Sequence, residues 1–551
     1  MKKIILTIGL GCLFLSSCSK TTLQTTQNIN TEKKPFVWNG ANVYFLLTDR
    51  FNNGDTTNDV NYGRTAETAK LRGFEGGDIR GVINKIDEGY FTDLGVNAIW
   101  MTPIVEQIHG FVDEGQGPTY GFHGYWTKDW TTLDKNFGTE ADLQELVDKA
   151  HAKGIRIMLD AVINHTGPVT ELDEVFPDNW VRVSPQCTYD SYENTTACTL
   201  VKNLPDILTE SEEDVILPLP LLEKWYKEGR LENEILELNN FFAKYNLPKA
   251  PKYYIMKWLS DYIRKYGIDA YRVDTVKHTE EDVWKVFATI CKDALNEYKA
   301  NYPEKVLDDN DFFLLGEVYN YTINEGQDFS FPDKKVNYFE NGFDALINFD
   351  LRSSQNESSV QLFNHYDDII QNKMNGKTVM NYISSHDDGS PYDKNRTDAW
   401  DAGTRLLLAP GIAQIYYGDE VARPLVIEGV EGDANLRSVM DWEEIKSNSD
   451  KQKLLEHYQK LGQFRASHPA VGAGEQTIIK ADPFVFHRKY KDDEVIVVMD
   501  FFREVKLIDV AGFWKDGTKV RDAYSGFENV IKDGRVTIIS PSELVLLEIV
   551  K

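Results

Sequence analysis

The chain has 551 residues, of which 42% are hydrophobic and 27% charged, a composition typical of a globular protein with two or three domains. Lys and Arg total 60 against 87 Asp and Glu, and the resulting formal net charge of -27 repels phosphate backbones. We therefore expect no nucleic-acid partner. The same charge is compatible with a neutral ligand, and a role in keeping the protein soluble explains it equally well.

The N-terminus has the pattern of an export signal. A basic start precedes an apolar run at 4–15, which is shorter than the roughly 20 residues that a membrane-spanning helix needs. Residues 15–18 read Leu-Ser-Ser-Cys and resemble a bacterial lipobox, which implies cleavage before Cys18 and a lipid on its thiol. An ordinary signal peptide is the alternative. We predict a signal at 1–17, a flexible tether at 18–35, and a lipid anchor in the bacterial outer membrane, on either face.

Short apolar runs alternate with amphipathic helical stretches from residue 43 onward. Such alternation is typical of parallel βαβ units, and eight of them favour a closed (β/α)8 TIM barrel, although periodicity alone would also allow an open doubly wound sheet. Helices are predicted at 140–153, 254–266 and 282–298. The predicted strands are 43–47, 97–101, 155–160, 269–273, 312–316, 345–348, 379–383 and 412–416.

Two segments depart from the barrel pattern. The interval after the third predicted strand is too long for one crossover, so we predict an inserted domain there. After about residue 466 the chain is β-rich with Gly and Asp turns, which predicts a C-terminal antiparallel β-sandwich. The predicted domains are the barrel at 36–165 and 253–465, the inserted domain B at 166–252 and the C-terminal β domain at 466–551.

The cysteines fall into different environments. Cys187 and Cys198 are close in sequence, so in an oxidising compartment they could close a short loop, with two free thiols as the alternative. Cys291 lies in a helical pattern and is expected to be a buried apolar residue. No CxxC pair and no HExxH sequence occurs, which leaves no sequence case for zinc.

Clusters of polar residues directly follow four of the predicted strands. Charge at buried strand ends is costly unless it is paired or used, and the carboxyl ends of barrel strands meet on the face that carries the active site. Four clusters on one face are hard to attribute to a structural network alone. They are Asp160 with Asn164 and His165, Arg272 and Asp274 with Lys277 and His278, Gly316 with Glu317, and His386 with Asp387.

In this order and spacing the clusters resemble the motifs of the α-amylase family of retaining α-glucan hydrolases and transferases, and the resemblance spans about 36–551. It implies that Asp274 is the nucleophile, Glu317 the acid/base and Asp387 the carboxylate that stabilises the transition state. Retaining glycoside hydrolysis needs one ionised and one protonated carboxyl group close together. We expect Arg272 to keep Asp274 ionised, and like-charge repulsion to raise the pKa of Glu317.

The resemblance also implies residues that bind the sugar chain. Tyr125 would stack on the sugar whose bond is cut, and nearby histidines would bond its hydroxyls. Asp433 and Arg437 would hold the next sugar on the non-reducing side. Lys277 followed by His278 resembles endo-acting α-amylases, where both contact the reducing side. The full predicted set is His123, Tyr125, Trp126, His165, Arg272, Lys277, His278, His386, Asp433 and Arg437, with packing as the alternative for Trp126 and a surface ion pair for Arg437.

One or two Ca²⁺ ions are expected. The first site, between barrel and inserted domain, would use Asn164, Asp206 and the carbonyl of His278. The second resembles an N-terminal calcium loop, whose dense Asp, Asn and carbonyl oxygens are ligands that calcium prefers. A solvated turn is the alternative for that loop. Its predicted ligands are Asn53, Asp55, Asn58, Asp59, Gly76 and Asp78.

The function expected from the resemblance is endo-hydrolysis of α-1,4-glucosidic bonds in starch-like polysaccharides and malto-oligosaccharides. A transglycosylase, a neopullulanase or a cyclomaltodextrinase would use the same catalytic residues. A glucan-binding surface lipoprotein without activity is the alternative from another class, and the intact carboxylate trio argues against it. Expected partners are an α-glucan and other glucan-uptake proteins. Trp180, Trp225 and Tyr226 could form a sugar platform, although packing is favoured.

Overall fold

A computed structural model describes residues 36–550, and eight parallel strands in this part of the chain close into a barrel. Each strand pairs with the next in sequence, and the first closes the barrel against the eighth. The (β/α)8 prediction is therefore confirmed. In chain order the strands are Asn42–Leu46, Ala98–Met101, Arg156–Ala161, Ala270–Val273, Phe313–Gly316, Ala345–Asn348, Thr378–Tyr382 and Ile412–Tyr416.

The barrel strands are buried along their whole length, which explains their nearly continuous apolar sequences. Inside the barrel, the rings of Phe45 and Trp100 stack with centroids 3.6 Å apart. Helices cover the outside, and one begins with a capping box between Thr139 and Asp142. The main outer helices are Ile79–Asp87, Glu140–Ala152, Pro251–Tyr266, Glu281–Asn301, Ser359–Asn372, Ala399–Leu408 and Ser449–Ser467.

The long interval after the third strand contains its own secondary structure. Its strands Val181–Arg182 and Asp206–Ile207 pair antiparallel, and its helices are Leu219–Lys227 and Leu231–Tyr245. Cys187 and Cys198 form the expected disulfide. A further antiparallel ribbon, Val105–Gln107 with Thr127–Leu133, follows the second strand and was not predicted.

The three aromatics of a possible sugar platform do not lie on one surface. Trp180 and Trp225 are fully buried and both pack against Trp258, whereas the side chain of Tyr226 is 74% exposed. The packing interpretation is therefore correct for the two tryptophans. Cys291 is buried in its helix, as expected.

The C-terminal segment forms two antiparallel layers with an apolar core between them. The core contains Ile496 and Val498 from the larger sheet and Ile508 and Ile538 from the smaller one. This confirms the predicted sandwich. The larger sheet contains Glu475–Lys480, Phe484–Tyr490, Asp493–Met499, Val545–Ile549, Lys519–Asp522 and Glu528–Val530, and the smaller one Val505–Asp509 with Arg535–Ile539.

Several predictions concern residues or boundaries that the structure does not test. The signal peptide, the tether and the lipid-bearing Cys18 lie outside the described residues. The exact ends assigned to the barrel, domain B and the C-terminal domain stay predictions. Between residues 36 and 550, no helix is both long and apolar enough to cross a membrane.

Candidate active site

Two of the predicted catalytic carboxyl groups contact one buried arginine. The fourth and fifth strands are parallel neighbours with Val273 opposite Gly316, so the residues that follow them lie side by side. Arg272 is 1% exposed, and its Nη1 lies 2.8 Å from Oδ1 of Asp274 while its Nη2 lies 3.1 Å from Oε2 of Glu317. The guanidinium is therefore shared by the two groups.

A third carboxylate holds the arginine in place. Asp160 lies in the third strand directly opposite Arg272, and its Oδ1 lies 3.0 Å from Arg272 Nη1. The same carboxylate accepts hydrogen bonds from Trp100 Nε1 at 3.1 Å and from the Tyr125 hydroxyl at 2.8 Å. Asp160 was noticed in the sequence as part of a motif but given no role. The sequence feature that could have marked Asp160 was its place at the end of the predicted strand 155–160.

The surroundings of Glu317 favour its protonated form. Burial raises the pKa of Glu317 to about 8; the Arg272 charge opposes this rise, and the carboxylates of Asp274 and Asp387 add to it. The backbone N–H of Thr275 donates to its Oε2 at 3.0 Å. Glu317 can therefore still hold a proton near neutral pH, as general acid catalysis requires.

Asp387 lies at the open side of this group. Its side chain is 42% exposed, and its Oδ2 lies 3.4 Å from Nε2 of His386. The hydroxyl of Ser385, the residue before the histidine, lies 3.4 Å from the other carboxylate oxygen. The structure thus brings the three predicted catalytic carboxyl groups to one end of the barrel.

Predicted sugar-binding residues line one side of the carboxylates. The rings of Tyr125 and His386 are nearly parallel with centroids 5.2 Å apart. Arg437 donates from Nε to the carbonyl of His386 at 2.8 Å and pairs with Asp433 at 2.7 Å. Burial lowers the pKa values of His123 and His386 well below the usual range, so both rings are neutral hydrogen-bonding groups.

One residue on this side was missed by the sequence. Arg72 is buried, and its Nη2 lies 3.2 Å from Asp433 while its Nη1 lies 3.1 Å from Glu114. Asp433 therefore sits between two guanidinium groups, those of Arg72 and Arg437. No sequence pattern marked Arg72, because it comes from a loop far from the four motifs.

His165 and Trp126 contact other residues of the predicted sugar-binding set. Nε2 of His165 is 3.1 Å from the carbonyl of Tyr125. Trp126 is 7% exposed, packs with Ile108 and Leu204, and contacts the ring of His123 edge-on at 4.7 Å. These contacts support a packing role for Trp126, and its contact with sugar stays a prediction.

The opposite side of the carboxylates carries Lys277 and His278. Lys277 donates from Nζ to the carbonyl of Tyr319 at 3.1 Å, and its Nζ lies 5.3 Å from that tyrosine's ring and 6.0 Å from the ring of Tyr189. The two tyrosines are 44% and 48% exposed, respectively. Neither was predicted. Tyr319 follows Glu317 by two residues, a position that could have marked it, whereas Tyr189 lies in a loop without such a signal.

The residues of the first predicted calcium site lie together and fit a cation. The Asn164 amide lies 2.8 Å from Asp206 Oδ1 and 3.0 Å from the carbonyl of His278. The neutral ring of His165 donates from Nε2 to a carbonyl, so its Nδ1, which lies 3.3 Å from the Asn164 amide, needs a donor. Turning the amide would supply that donor and direct Asn164 Oδ1 toward the oxygens of Asp206 and His278, and three such oxygens together would suit a cation.

The second predicted site also has features that fit calcium. Asn58 Oδ1 is buried without a hydrogen-bond partner. Gly76 has φ +88°, a conformation that favours glycine, and a Cβ there would lie 2.4 Å from Asn53 Nδ2 and 2.7 Å from Asp59 Oδ1, so these two side chains lie close to its backbone. The buried carboxylate of Asp78 accepts from the backbone of residues 54, 55 and 81. The carboxylate of Asp55 instead accepts from Thr57.

Neither site depends on a cluster of acidic or histidine side chains. In the part of the chain that the structure describes, no group of three or more His, Cys, Asp and Glu residues is placed to hold a metal ion. The predicted ligands of the first site are one carboxylate with amide and backbone carbonyl oxygens, and the three carboxylates predicted for the second site, Asp55, Asp59 and Asp78, do not form one cluster. Such oxygens are hard ligands of the kind that calcium prefers.

A (β/α)8 barrel with carboxyl groups at its strand ends is a class of fold that carries many hydrolases. Residues 45–453, more than half of the chain, match the α-amylase catalytic domain family. A periplasmic α-amylase of Escherichia coli (strain K12) is 37% identical over 522 residues, which cover 84% of this chain and 72% of that enzyme. The chain belongs to the α-amylase family of glycoside hydrolases.

Other relatives in the family carry different activities in their names. A cyclomaltodextrin glucanotransferase of Geobacillus stearothermophilus is 27% identical, with 88% of this chain covering 62% of that enzyme. Among solved structures, an Anoxybacillus α-amylase superposes with a TM-score of 0.64 at 24% identity, covering 93% of this chain and 99% of that one. This structural likeness shows the fold alone.

Proposed function

We propose that the protein is a retaining endo-hydrolase of α-1,4-glucosidic bonds in starch-like polysaccharides and malto-oligosaccharides. One observation carries this proposal: Arg272 contacts Asp274 and Glu317 together, while burial raises the pKa of Glu317. Two carboxyl groups in opposite protonation states are what retaining glycoside hydrolysis needs.

The reaction would proceed in two steps. Asp274 attacks the anomeric carbon and forms a glycosyl ester, while Glu317 donates its proton to the oxygen of the departing sugar chain. Glu317, now ionised, then takes a proton from water, which attacks the same carbon and releases Asp274. Asp387 would stabilise positive charge that develops on the sugar ring in both transition states.

The sugar chain would lie across the two sides of this group. Tyr125 and His386 would contact the sugar whose bond is cut, and His123 and His165 would support it. Asp433, fixed by two arginines, would bond the preceding sugar. Lys277 and His278 would bind sugars beyond the cut bond. Binding groups on both sides support cleavage within a chain.

Transfer to a sugar acceptor is the second candidate activity, and one observation favours it. Tyr189 and Tyr319 place two half-exposed aromatic rings around Lys277 on the side where an acceptor would bind. Aromatic rings pack well against the apolar faces of sugars. Relatives named cyclomaltodextrin glucanotransferase and cyclomaltodextrinase occur in the family. An acceptor held there would compete with water for the glycosyl ester.

Calcium and export complete the proposal. The oxygen donors around Asn164 and around Gly76 would hold Ca²⁺, whose chemical contribution when bound is to compensate charge and fix loops. Export is supported by the likeness to a periplasmic enzyme and by the signal pattern at 1–17. We further propose a lipid anchor on Cys18 and association with other glucan-uptake proteins.

Product analysis tests the proposal. Purified protein and the variant Asp274→Asn would be incubated with soluble starch, pullulan and maltoheptaose. A spread of malto-oligosaccharides from starch, absent in the variant, supports the endo-hydrolase. Longer or cyclic products would make it a transferase, and panose from pullulan a neopullulanase. Starch binding without turnover of any glucan would refute the enzymatic function.

A further inference from the structure

A disulfide closes a loop next to His278, on the side of the active-site cleft that would bind the reducing-side sugars. Cys187 and Cys198 are 11 residues apart, and the enclosed residues are here called the disulfide loop. The backbone at its base is paired, since Cys187 N–H donates to the Thr199 carbonyl at 2.9 Å. Within the loop, the backbone N–H of Tyr192 donates to Asp333 at 2.7 Å. The loop is thus fixed at its base and at its middle.

The disulfide loop contacts His278 through the backbone. Nδ1 of His278 lies 3.0 Å from the carbonyl oxygen of Thr195, which can only accept a hydrogen bond. Nδ1 must therefore carry the proton. This contact also fixes the orientation of the His278 ring. Thr195 itself is buried and bonded from its hydroxyl to the Ser191 carbonyl at 2.7 Å, so the carbonyl position is set by the loop's own fold.

The same loop places an aromatic ring at the cleft. Tyr189 has φ +62°, an unusual left-handed conformation for a tyrosine, which local structure must enforce. Its ring meets the His278 ring edge-on at 5.9 Å. Tyr189 also lies within cation–π distance of Lys277, at 6.0 Å. Tyr189 therefore lies on the covalently closed segment, and His278 contacts that segment directly.

We propose that the disulfide loop is the positioning element of the acceptor side: it fixes the tautomer and orientation of His278 through the Thr195 carbonyl and presents Tyr189 to the sugars beyond the cut bond. This inference rests on the proposed function and adds to it the element that determines acceptor binding. Opening the loop would weaken binding of sugars there and leave the other side of the cleft unchanged.

Two substrates separate the sides of the cleft. Maltoheptaose places sugars on both sides, whereas α-maltotriosyl fluoride has only a fluorine atom on the acceptor side, which leaves as fluoride when the bond is broken. The variants are Cys187→Ser combined with Cys198→Ser, and Tyr189→Ala, with Tyr189→Phe as the matched control that keeps the ring. Oxidised wild-type protein reduced after folding gives a second route to the open loop. Cys291, in the folded core, is buried and is not part of the loop.

We expect kcat/KM for maltoheptaose to fall about tenfold in the open-loop forms and in Tyr189→Ala, while kcat/KM for the fluoride changes by less than about twofold. Transfer of the maltotriosyl group to added maltose should fall in the same forms, and Tyr189→Phe should resemble wild type. Equal losses with both substrates would make the loop merely structural and overturn the proposal. No loss with either substrate would also overturn it. A wild-type protein that cleaves neither would refute the proposed function itself.

Discussion

Nη1 of Arg272 lies 2.8 Å from Oδ1 of Asp274, two residues further along the same strand and the turn that follows it. Because Arg272 is 1% exposed and has three acidic neighbours, removing its charge would leave buried carboxylates without a counter-ion. The arrangement therefore joins the stability of the barrel to two of the predicted catalytic carboxyl groups.

Replacement of Arg272 tests this link. Arg272→Met should lower the free energy of unfolding by about 3–5 kcal/mol at pH 7, since it breaks a buried ion-pair network. Urea denaturation followed by circular dichroism measures the change. Arg80→Met is a control at a more exposed arginine that also pairs with two acidic residues. A loss below about 1 kcal/mol for Arg272→Met would show that the network contributes little.

The pH dependence of the rate follows from Glu317. Its pKa is raised to about 8, so the proton needed by the leaving oxygen is lost as the pH rises through that value. We expect kcat/KM for maltoheptaose to fall as the pH rises above about 8.

The acid role of Glu317 is tested by its replacement. Fluoride leaves without a proton, so Glu317→Gln should reduce maltoheptaose cleavage by about 10³-fold or more yet still form the glycosyl ester from α-maltotriosyl fluoride. Parallel loss with both substrates would contradict the acid role.

The same carboxyl group makes stability depend on pH. Folded Glu317 keeps its proton up to about pH 8, whereas the unfolded group loses it near 4.5, so folding takes up a proton between these values. Its contribution to stability is present below about pH 4.5 and decreases as the pH rises toward 8. Comparing the midpoint of urea unfolding in wild type and Glu317→Gln across this range measures the difference. If the difference between the two midpoints did not change with pH, the pKa of Glu317 would not be raised in the folded protein.

Calcium binding can be counted at each site separately. Asn53→Ala with Asp59→Ala should remove one Ca²⁺ per chain from the N-terminal loop, and Asp206→Asn should remove one from the barrel junction. Inductively coupled plasma mass spectrometry after dialysis gives the counts, and thermal unfolding with a chelator shows whether bound metal stabilises the fold. A metal-free wild-type protein would contradict both sites.

Binding on the non-reducing side is tested at Asp433. Asp433→Asn removes the charge between Arg72 and Arg437 and should raise KM for maltoheptaose about fivefold to tenfold, with a smaller change in kcat. Initial rates over a range of concentrations separate the two constants. Glu114→Gln, which alters the other partner of Arg72, is the control. A change confined to kcat would place Asp433 among the groups that act in the transition state.

The barrel and its carboxylates were predictable because each depends on local sequence. The strands at Val43 and Ile412 are apolar runs bounded by turns, and Asp274 and Glu317 directly follow such runs. Arg72 and Tyr189 come from loops whose course depends on tertiary packing, so no spacing rule identifies them. Tyr319 follows Glu317 by only two residues, and the strand-end pattern could have identified it.

The same limit applied to the C-terminal sandwich. Its strand Lys519–Asp522 alternates buried and exposed residues, but with only one apolar side chain, Val520, it was too polar to predict. The strand Glu475–Lys480 lies at the edge of its sheet with exposed side chains and likewise lacks a clear apolar pattern. Pairing with neighbouring strands stabilises both, and such pairing is not visible in the local sequence.

The stereochemistry of the first product tests the central claim most directly. Maltoheptaose would be added to the protein and the anomeric protons followed by nuclear magnetic resonance during the first minutes, before the sugar ring opens and equilibrates. A covalent ester on Asp274, opened by water activated at Glu317, predicts that the α anomer appears first. Initial release of the β anomer would contradict the two-step mechanism and the nucleophilic role of Asp274.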